Sequence, residues 1–373
     1  MRCFIFILSF FIISQTQCQT NFLLIGTYTD SGSKGIYVYK FNQTTGKSEL
    51  VTNTDSVKNP SFLIVSHDHK NIYAVNETNH DNPGAVSSFS FNQKTGALKF
   101  INKVNTGGDD PCYISVTKNK KWAIIANYSG GSTSAISINP DGSLAPLAQL
   151  IQDAGTSINK NRQEASHVHA AVLSPDEKYV FTPNLGTDKV KQYQFNANTK
   201  HPLKPASPPF TEVSPGSGPR HFTFSPDGKY AYLIQELTGS VVVYNYQNGT
   251  LKKIQTIITH PQDYKGEPGS ADIHISPDGK FLYASNRGEE NTISIFKINT
   301  STGLLTTKGN VSCGGKTPRN FLIDPSGNYL LVANQNSDNI IVFKRDKTSG
   351  ALKDMNQNIS VPKPVCLQMT PKF

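Results

Sequence analysis

The chain has 373 residues and a formal net charge of +9, from 36 Lys and Arg against 27 Asp and Glu. Hydrophobic residues make up 36% of it and aromatic residues 10%, and the 28 Gly and 22 Pro are typical of an all-β protein rich in turns. Because the positive charge is scattered and forms no long basic run, the composition does not favour a nucleic-acid-binding protein, although it would attract anionic small molecules.

The first element is an apolar run at residues 4–13, which follows Arg2 and is interrupted only by Ser9. This run is too short to span a membrane and has the length of the apolar part of a signal peptide. We therefore predict a signal peptide at 1–19, a single mature domain at 20–373, and export to a periplasmic or extracellular space. Cys18 leaves lipid anchoring open, although Gln17 before it does not suit lipoprotein processing.

One unit recurs along the rest of the chain at intervals of about 50 residues. Each copy contains an alternating strand, a turn and a second alternating strand, which is typical of a β-hairpin. A third strand and a shorter outer strand follow. The turns of the seven copies contain His67, Lys118, Pro175, Pro226, Pro277, Pro325 and Pro371. The pattern predicts an all-β fold, a seven-bladed β-propeller with four antiparallel strands per blade.

The two ends of the mature chain are incomplete copies of the unit. Residues 22–28 and 35–41 correspond to a second and a third strand, whereas the last copy ends just after its first strand, at 371–373. We expect these strands to share one blade, so that the ring closes without a covalent link and no sheet edge stays open.

A functional site is expected where the blades differ at positions that face the central channel. The start of each first strand lies beside the end of the second strand, at the same mouth of the channel. The charged residues and histidines in these two columns are His169, Arg220, Glu236, Arg287, Arg319, His221, Asp272 and Glu77. They form a cation-rich cup, which suits an anionic substrate and the stabilisation of an oxyanion.

Several of these residues have simpler explanations. Within the hairpin 218–236, antiparallel pairing brings Arg220 close to Glu236, and the two could form only a cross-strand ion pair. Arg287 could pair with a nearby Glu, and His221 could only cap its hairpin. His167 and His169 are on one face of a strand, as in a metal pair, but no third ligand has a matching spacing, so we predict no metal.

The sequence does not support phosphate-loop chemistry or covalent catalysis by serine. It contains no Gly-rich phosphate loop and no nucleophile elbow, and the serines of the Ser-Pro-Asp-Gly turns lie at the opposite end of the hairpin from the charges. General acid–base catalysis by His169 or Glu236 fits better. The polar segment 155–164 lies outside the repeat and is predicted to be mobile.

Four motifs together resemble a known family. His167-Val-His169, Pro219-Arg220-His221-Phe222, Gln235-Glu236 and Ser285-Asn286-Arg287-Gly288, in this order, resemble the lactonase family of seven-bladed propellers. That family includes the bacterial propeller-type 6-phosphogluconolactonase and the fungal carboxy-muconate lactonizing enzyme. The opening Ile25-Gly-Thr-Tyr28-Thr is also similar, and the resemblance spans nearly the whole mature chain.

The resemblance implies a role for each of these positions. The family's catalytic His would be His169, its two arginines Arg220 and Arg287, and its acid Glu236. The residues expected to bind the substrate are His167, His221, Asp272, Asn286, Arg319 and Glu77. It implies a lactonase that hydrolyses a sugar lactone without a cofactor, most like 6-phosphogluconolactonase. Two alternatives stay open: a carboxy-muconate cycloisomerase, and a non-catalytic propeller that binds a ligand or a protein.

Overall fold

The computed structural model describes residues 20–55, 57–81 and 83–370, so the predicted signal peptide and the last three residues lie outside the described chain. The regular secondary structure of the described residues is all strand, apart from a single short 3-10 helix at Gln335–Ser337. In chain order the strands are β1 Thr20–Thr27, β2 Tyr37–Asn42, β3 Ser48–Asn53, β4 Leu63–Val65, β5 Asn71–Asn76, β6 Ala85–Phe91, β7 Leu98–Asn105, β8 Pro111–Val116, β9 Trp122–Asn127, β10 Ser132–Ile138, β11 Leu144–Gln152, β12 Val172–Leu173, β13 Tyr179–Asn184, β14 Lys189–Phe195, β15 Leu203–Glu212, β16 Pro219–Phe224, β17 Tyr230–Gln235, β18 Ser240–Gln247, β19 Thr250–Ile258, β20 Ser270–Ile275, β21 Phe281–Asn286, β22 Thr292–Ile298, β23 Leu305–Ser312, β24 Pro318–Ile323, β25 Tyr329–Asn334, β26 Asn339–Arg345, β27 Leu352–Ser360 and β28 Pro364–Met369.

These strands form seven four-stranded antiparallel sheets, which confirms the predicted seven-bladed propeller. Blades 1 to 6 are β4–β7, β8–β11, β12–β15, β16–β19, β20–β23 and β24–β27, and blade 7 has the order β28-β1-β2-β3. The first strands of neighbouring blades contact one another, as β16 does β20, β20 does β24, and β28 does both β24 and β4. They are therefore the innermost strands, around the central channel.

Blade 7 combines strands from both ends of the chain, as the incomplete repeats predict. β28 pairs antiparallel with β1, from Leu23 opposite Met369 to Thr27 opposite Pro364. Leu23 and Leu367 of this blade are buried against Tyr329 of blade 6. Backbone hydrogen bonds and apolar packing thus close the ring without a covalent link.

The core lies between adjacent blades and not within any one of them. On the facing surfaces of blades 4 and 5, Tyr232 and Ile234 pack against Leu282 and Phe296, and all four side chains are fully buried. Each strand therefore has apolar side chains on both faces at its centre. The alternating pattern predicted from the sequence applies mainly to the outer strands, where one face meets solvent.

The repeated Ser-Pro-Asp-Gly turn is held by its own side chains. In blade 4, Ser225 Oγ donates to Asp227 Oδ1 at 2.6 Å and accepts from the Tyr230 N–H at 3.0 Å. Gly228 has a φ of 69°, which is the left-handed conformation that favours glycine. The same Ser–Asp bond recurs in blades 1, 3 and 5, so these turns belong to the scaffold. Among the described residues, no helix has the length and apolar character needed to cross a membrane.

Candidate active site

An interruption in strand pairing marks the start of the innermost strand in five blades. In blade 4, Pro219 pairs with Gln235 and Phe222 with Leu233, so that Arg220 and His221 together face one residue. Equivalent irregularities occur in blades 2, 5, 6 and 7, at the position of Cys112, Ala271, Arg319 and Val365. β-Bulges of this kind redirect side chains. They lie at the column of positions that the sequence predicts to face the channel.

The end of the second strand supplies the other half of the site. A residue directly after that strand comes from each of blades 1, 2, 4, 5 and 7: Glu77, Tyr128, Glu236, Arg287 and Tyr28. With Cys112, His169 and Arg319 from the inner strands, and Arg162 from the connection between blades 2 and 3, these residues line a cavity of about 200 Å³. The cavity therefore lies at the mouth of the channel where both columns meet.

His169 lies in blade 3, whose inner strand, β12, is the shortest of the seven at two residues. Its N–H donates to the Pro183 carbonyl at 2.9 Å, but Pro183 has no N–H to return the bond, so the ladder is interrupted there and β12 begins only at Val172. The ring Nδ1 lies 3.7 Å from Cys112 Sγ, and Nε2 has no hydrogen-bond partner among the described residues. His169 thus presents a free ring nitrogen at the cavity.

Burial and nearby positive charge determine the protonation of this site. Burial, with the charges of Arg220, His221 and Arg319, holds the pKa of His169 well below its usual range, so the imidazole is uncharged at neutral pH. Burial also raises the pKa of the Cys112 thiol well above its usual range. Cys112 is therefore not a thiolate nucleophile, whereas His169 can accept a proton.

Three arginines bind the carboxylate of Glu236. Its Oε2 accepts from Arg220 Nε and lies 3.0 Å from Arg287 Nη2, and its Oε1 accepts from Arg162 Nη2 at 2.6 Å. Burial favours the protonated carboxyl, but Arg287, Arg220 and Arg162 outweigh it and hold the pKa of Glu236 well below its usual range. The carboxylate thus stays ionised and holds three guanidinium groups in place.

A second carboxylate, Glu77, also lines the cavity. Glu77 accepts hydrogen bonds from the Tyr28 hydroxyl at 2.7 Å and from Ser61. Arg319 Nη2 lies 3.9 Å from Glu77 Oε1, its guanidinium is 5.3 Å from the centre of the Tyr28 ring, and it makes no hydrogen bond with any described residue. Arg319 therefore keeps its donors free at the cavity.

Three of the residues predicted to act at the cup lie behind it. Arg220 is buried beneath Glu236, and its Nη1 donates to the Ala271 carbonyl at 2.5 Å. His221 and Asp272 do not line the 200 Å³ cavity; they line a second one of about 330 Å³, further along the inner strands, with His274 and Phe62. These residues are close to the site but separated from its open face by Arg220.

His167 and Asn286 have scaffold contacts. The His167 ring stacks on Tyr128 at 4.5 Å, and its Nε2 lies 2.9 Å from Glu164 Oε1. Asn286 donates to the Thr259 carbonyl and to Ser294 Oγ, which connects neighbouring strands. Neither residue lines the cavity. In the described part of the chain, no group of three or more His, Cys, Asp or Glu is placed to hold a metal ion.

The sequence-based reasoning missed Arg162, Tyr28, Tyr128 and Cys112 as lining residues. Cys112 and Tyr128 occupy the two columns, and Tyr28 directly follows the opening strand, which the sequence identifies as a second strand. Arg162 has no such signal, because it lies in the segment 155–164, outside the repeat. That segment is anchored by the buried Gln163, whose Nε2 donates to the Leu185 carbonyl and to Asp188. Because Gln163 is held in this way, the preceding residue, Arg162, lies at the cavity.

Comparison with known proteins finds one matching propeller family and several similar proteins. The family described as "Lactonase, 7-bladed beta-propeller" matches residues 22–369. The 6-phosphogluconolactonase of Formosa agariphila is 38% identical over 81% of this chain and 86% of its own length, and that of Bacillus subtilis is 32% identical over 92% and 97%. The solved structure of Pseudomonas aeruginosa periplasmic gluconolactonase superimposes with a TM-score of 0.90, with 37% identity over 95% of this chain and 99% of that one.

The cluster around Glu236 predicts a large loss of stability on neutralising it. Glu236→Gln leaves the buried Arg220 without a full counter-charge, and we expect the free energy of unfolding to fall by about 3–5 kcal/mol. Urea denaturation of the two proteins measures the difference. Glu212→Gln, the same change at an exposed strand end, is the control and should stay within about 0.5 kcal/mol of the unaltered protein. Equal effects of the two substitutions would contradict the role given to Glu236.

Proposed function

The chain belongs to the lactonase family of seven-bladed β-propellers, and from this premise we propose that it hydrolyses a sugar lactone, with 6-phosphogluconolactone as the nearest named substrate. One observation carries the proposal: His169 is uncharged and has a free Nε2 at a cavity that three guanidinium groups border. A neutral base beside fixed positive charge is the arrangement that ester hydrolysis by water requires.

The proposed reaction is the addition of water to the lactone carbonyl. His169 Nε2 accepts a proton from the water while the water oxygen bonds to the carbonyl carbon, and a tetrahedral oxyanion forms. The ring C–O bond then breaks, and the ring oxygen takes the proton from His169. The product is an open-chain hydroxy acid, and His169 returns to its neutral form.

The arginines have separate roles in this proposal. Arg319, with no hydrogen bond to a described residue, is free to donate to the oxyanion or to an anionic group of the substrate. Arg287 lines the cavity while it stays bound to Glu236. Glu236 is too strongly held as an anion to act as the base, so it fixes the direction of the arginines, and His169 alone moves the proton.

The activity can be tested with purified mature protein on δ-gluconolactone and its 6-phosphate, by recording acid release above the spontaneous rate. We expect hydrolysis, and a fall in kcat of roughly 100- to 10,000-fold for His169→Gln, because the general base is lost. His201→Gln, the same change at an exposed position, should have no effect. Background rates on both lactones, or turnover of a carboxy-muconate alone, would refute the proposal.

The low pKa of His169 sets the pH dependence. The base is active when unprotonated, so kcat/KM should fall only as the pH drops below the usual value for histidine, about 6.5. Arg319→Gln removes a positive charge that disfavours protonated His169, so its pKa should rise and the acid limb should move to higher pH. Steady-state rates across pH measure the acid limb of the unaltered protein and that of the variant. An unaltered limb in Arg319→Gln would contradict this electrostatic link.

We also propose that the protein is exported, on the basis of the apolar run at 4–13 and of the periplasmic relative from Pseudomonas aeruginosa. Its natural substrate would then be a lactone found outside the cytoplasm. We expect Ile7→Arg, which places a charge in that run, to retain the protein in the cytoplasm with residues 1–19 attached. Cell fractionation and the mass of the mature chain measure this. Removal of residues 1–19 from the variant would argue against a signal peptide.

A further inference from the structure

A line of hydrogen bonds continues from Glu236 into the protein, away from the cavity. Arg220 Nε binds Glu236 Oε2, and Arg220 Nη1 lies 3.3 Å from His221 Nε2. His221 Nδ1 in turn lies 2.7 Å from Asp272 Oδ1. Arg220, His221 and Asp272 are all buried, with exposed fractions of 1%, 6% and 3%. These low exposed fractions favour the contacts among the three side chains over contacts with bulk solvent.

The chemistry of the two end groups decides the tautomer of His221. A guanidinium only donates hydrogen bonds, so Nε2 must accept from Arg220, and an ionised carboxylate only accepts, so Nδ1 must carry the proton. The imidazole is neutral, because burial and the adjacent Arg220 lower the pKa of His221 to about 4. Asp272 stays ionised, since His274 and His221 outweigh its burial and hold its pKa well below the usual range.

We propose that Asp272 and His221 are positioning residues for the active site: Asp272 fixes the Nδ1–H tautomer of His221, which orients Arg220 and, through it, Glu236. This inference rests on the proposed function, because turnover of a lactone is one of its readouts. Neither residue touches the 200 Å³ cavity. They act through Arg220, whose displacement would also disturb Arg287, because both arginines share Glu236 Oε2.

The surroundings of Asp272 make one substitution decisive. On the Oδ2 side, three donors surround the carboxylate: His274 Nε2 at 2.8 Å, Asn320 Nδ2 at 2.5 Å and the Phe321 N–H at 3.3 Å. The Oδ1 side has the Ile273 N–H, at 2.9 Å, besides His221. In Asp272→Asn the three donors outnumber that single N–H and hold the amide oxygen on the Oδ2 side, so the amide NH₂ faces His221 Nδ1. An amide donor there moves the imidazole proton to Nε2, where it opposes the N–H of Arg220.

The experiment combines ring ¹⁵N NMR of His221 with steady-state kinetics. The native protein should show the Nδ1–H tautomer, and Asp272→Asn the Nε2–H tautomer. In the same variant we expect kcat to fall roughly 10- to 100-fold, by analogy with outer partners that orient the ligands of metal sites. KM should change little, because the arginines that line the cavity keep their charges. His221→Phe identifies the His221 signals and should lower kcat in the same way.

His274→Gln is the matched control, because it removes a hydrogen bond from the same carboxylate without altering His221. The His274 side chain is 37% exposed and lies in the second cavity. We expect native kcat and the native tautomer. A changed tautomer with unaltered kcat, or a native protein with the Nε2–H form, would overturn the inference. The NMR result does not depend on lactone turnover, so failure of the tautomer assignment is distinguishable from failure of the proposed function.

Discussion

Closure of the ring by pairing of β28 with β1 is the constraint on which the site depends. Each of the seven blades contributes a side chain to the cavity or to the groups directly behind it, from Tyr28 of blade 7 to Arg319 of blade 6. Opening the ring between β28 and β1 would separate these two residues. Tyr28 directly follows β1, whereas Arg319 lies in β24, which contacts β28. The 5.3 Å contact between the Arg319 guanidinium and the Tyr28 ring exists only when both chain ends share one blade.

The site also depends on places where the blades depart from regular pairing. A continuous antiparallel ladder directs alternate side chains to opposite faces, towards the two neighbouring blades. The bulge at Arg220 and the missing N–H of Pro183 interrupt that pattern near the channel mouth. Charged groups can then gather at the axis while the core between blades stays apolar. The scaffold is preserved because the irregular positions lie at the ends of the strands.

Shared charges explain how so many ionised groups are stable there. Glu236 alone would be costly to bury, as would Arg220, but the carboxylate binds three guanidinium groups and Arg220 also has the Ala271 carbonyl. Burial, together with the surplus of arginines over carboxylates, keeps the pKa of His169 low and its ring neutral. The positive field that would attract an anion thus also favours the unprotonated form of His169.

The sequence by itself determined the repeat, the number of blades, the shared blade and the two columns of residues at one mouth. These are local features, because a hairpin and its turn are encoded within about 20 residues. It did not determine which of those residues face the cavity. Arg220 and His221 were expected to meet the substrate, but the structure buries both; Arg162, outside every repeat, lines the cavity. Burial and hydrogen-bond partners depend on contacts between blades, such as that of Arg162 with Glu236, 74 residues apart in the chain. Only the closed tertiary structure decides them, because no single blade contains both partners.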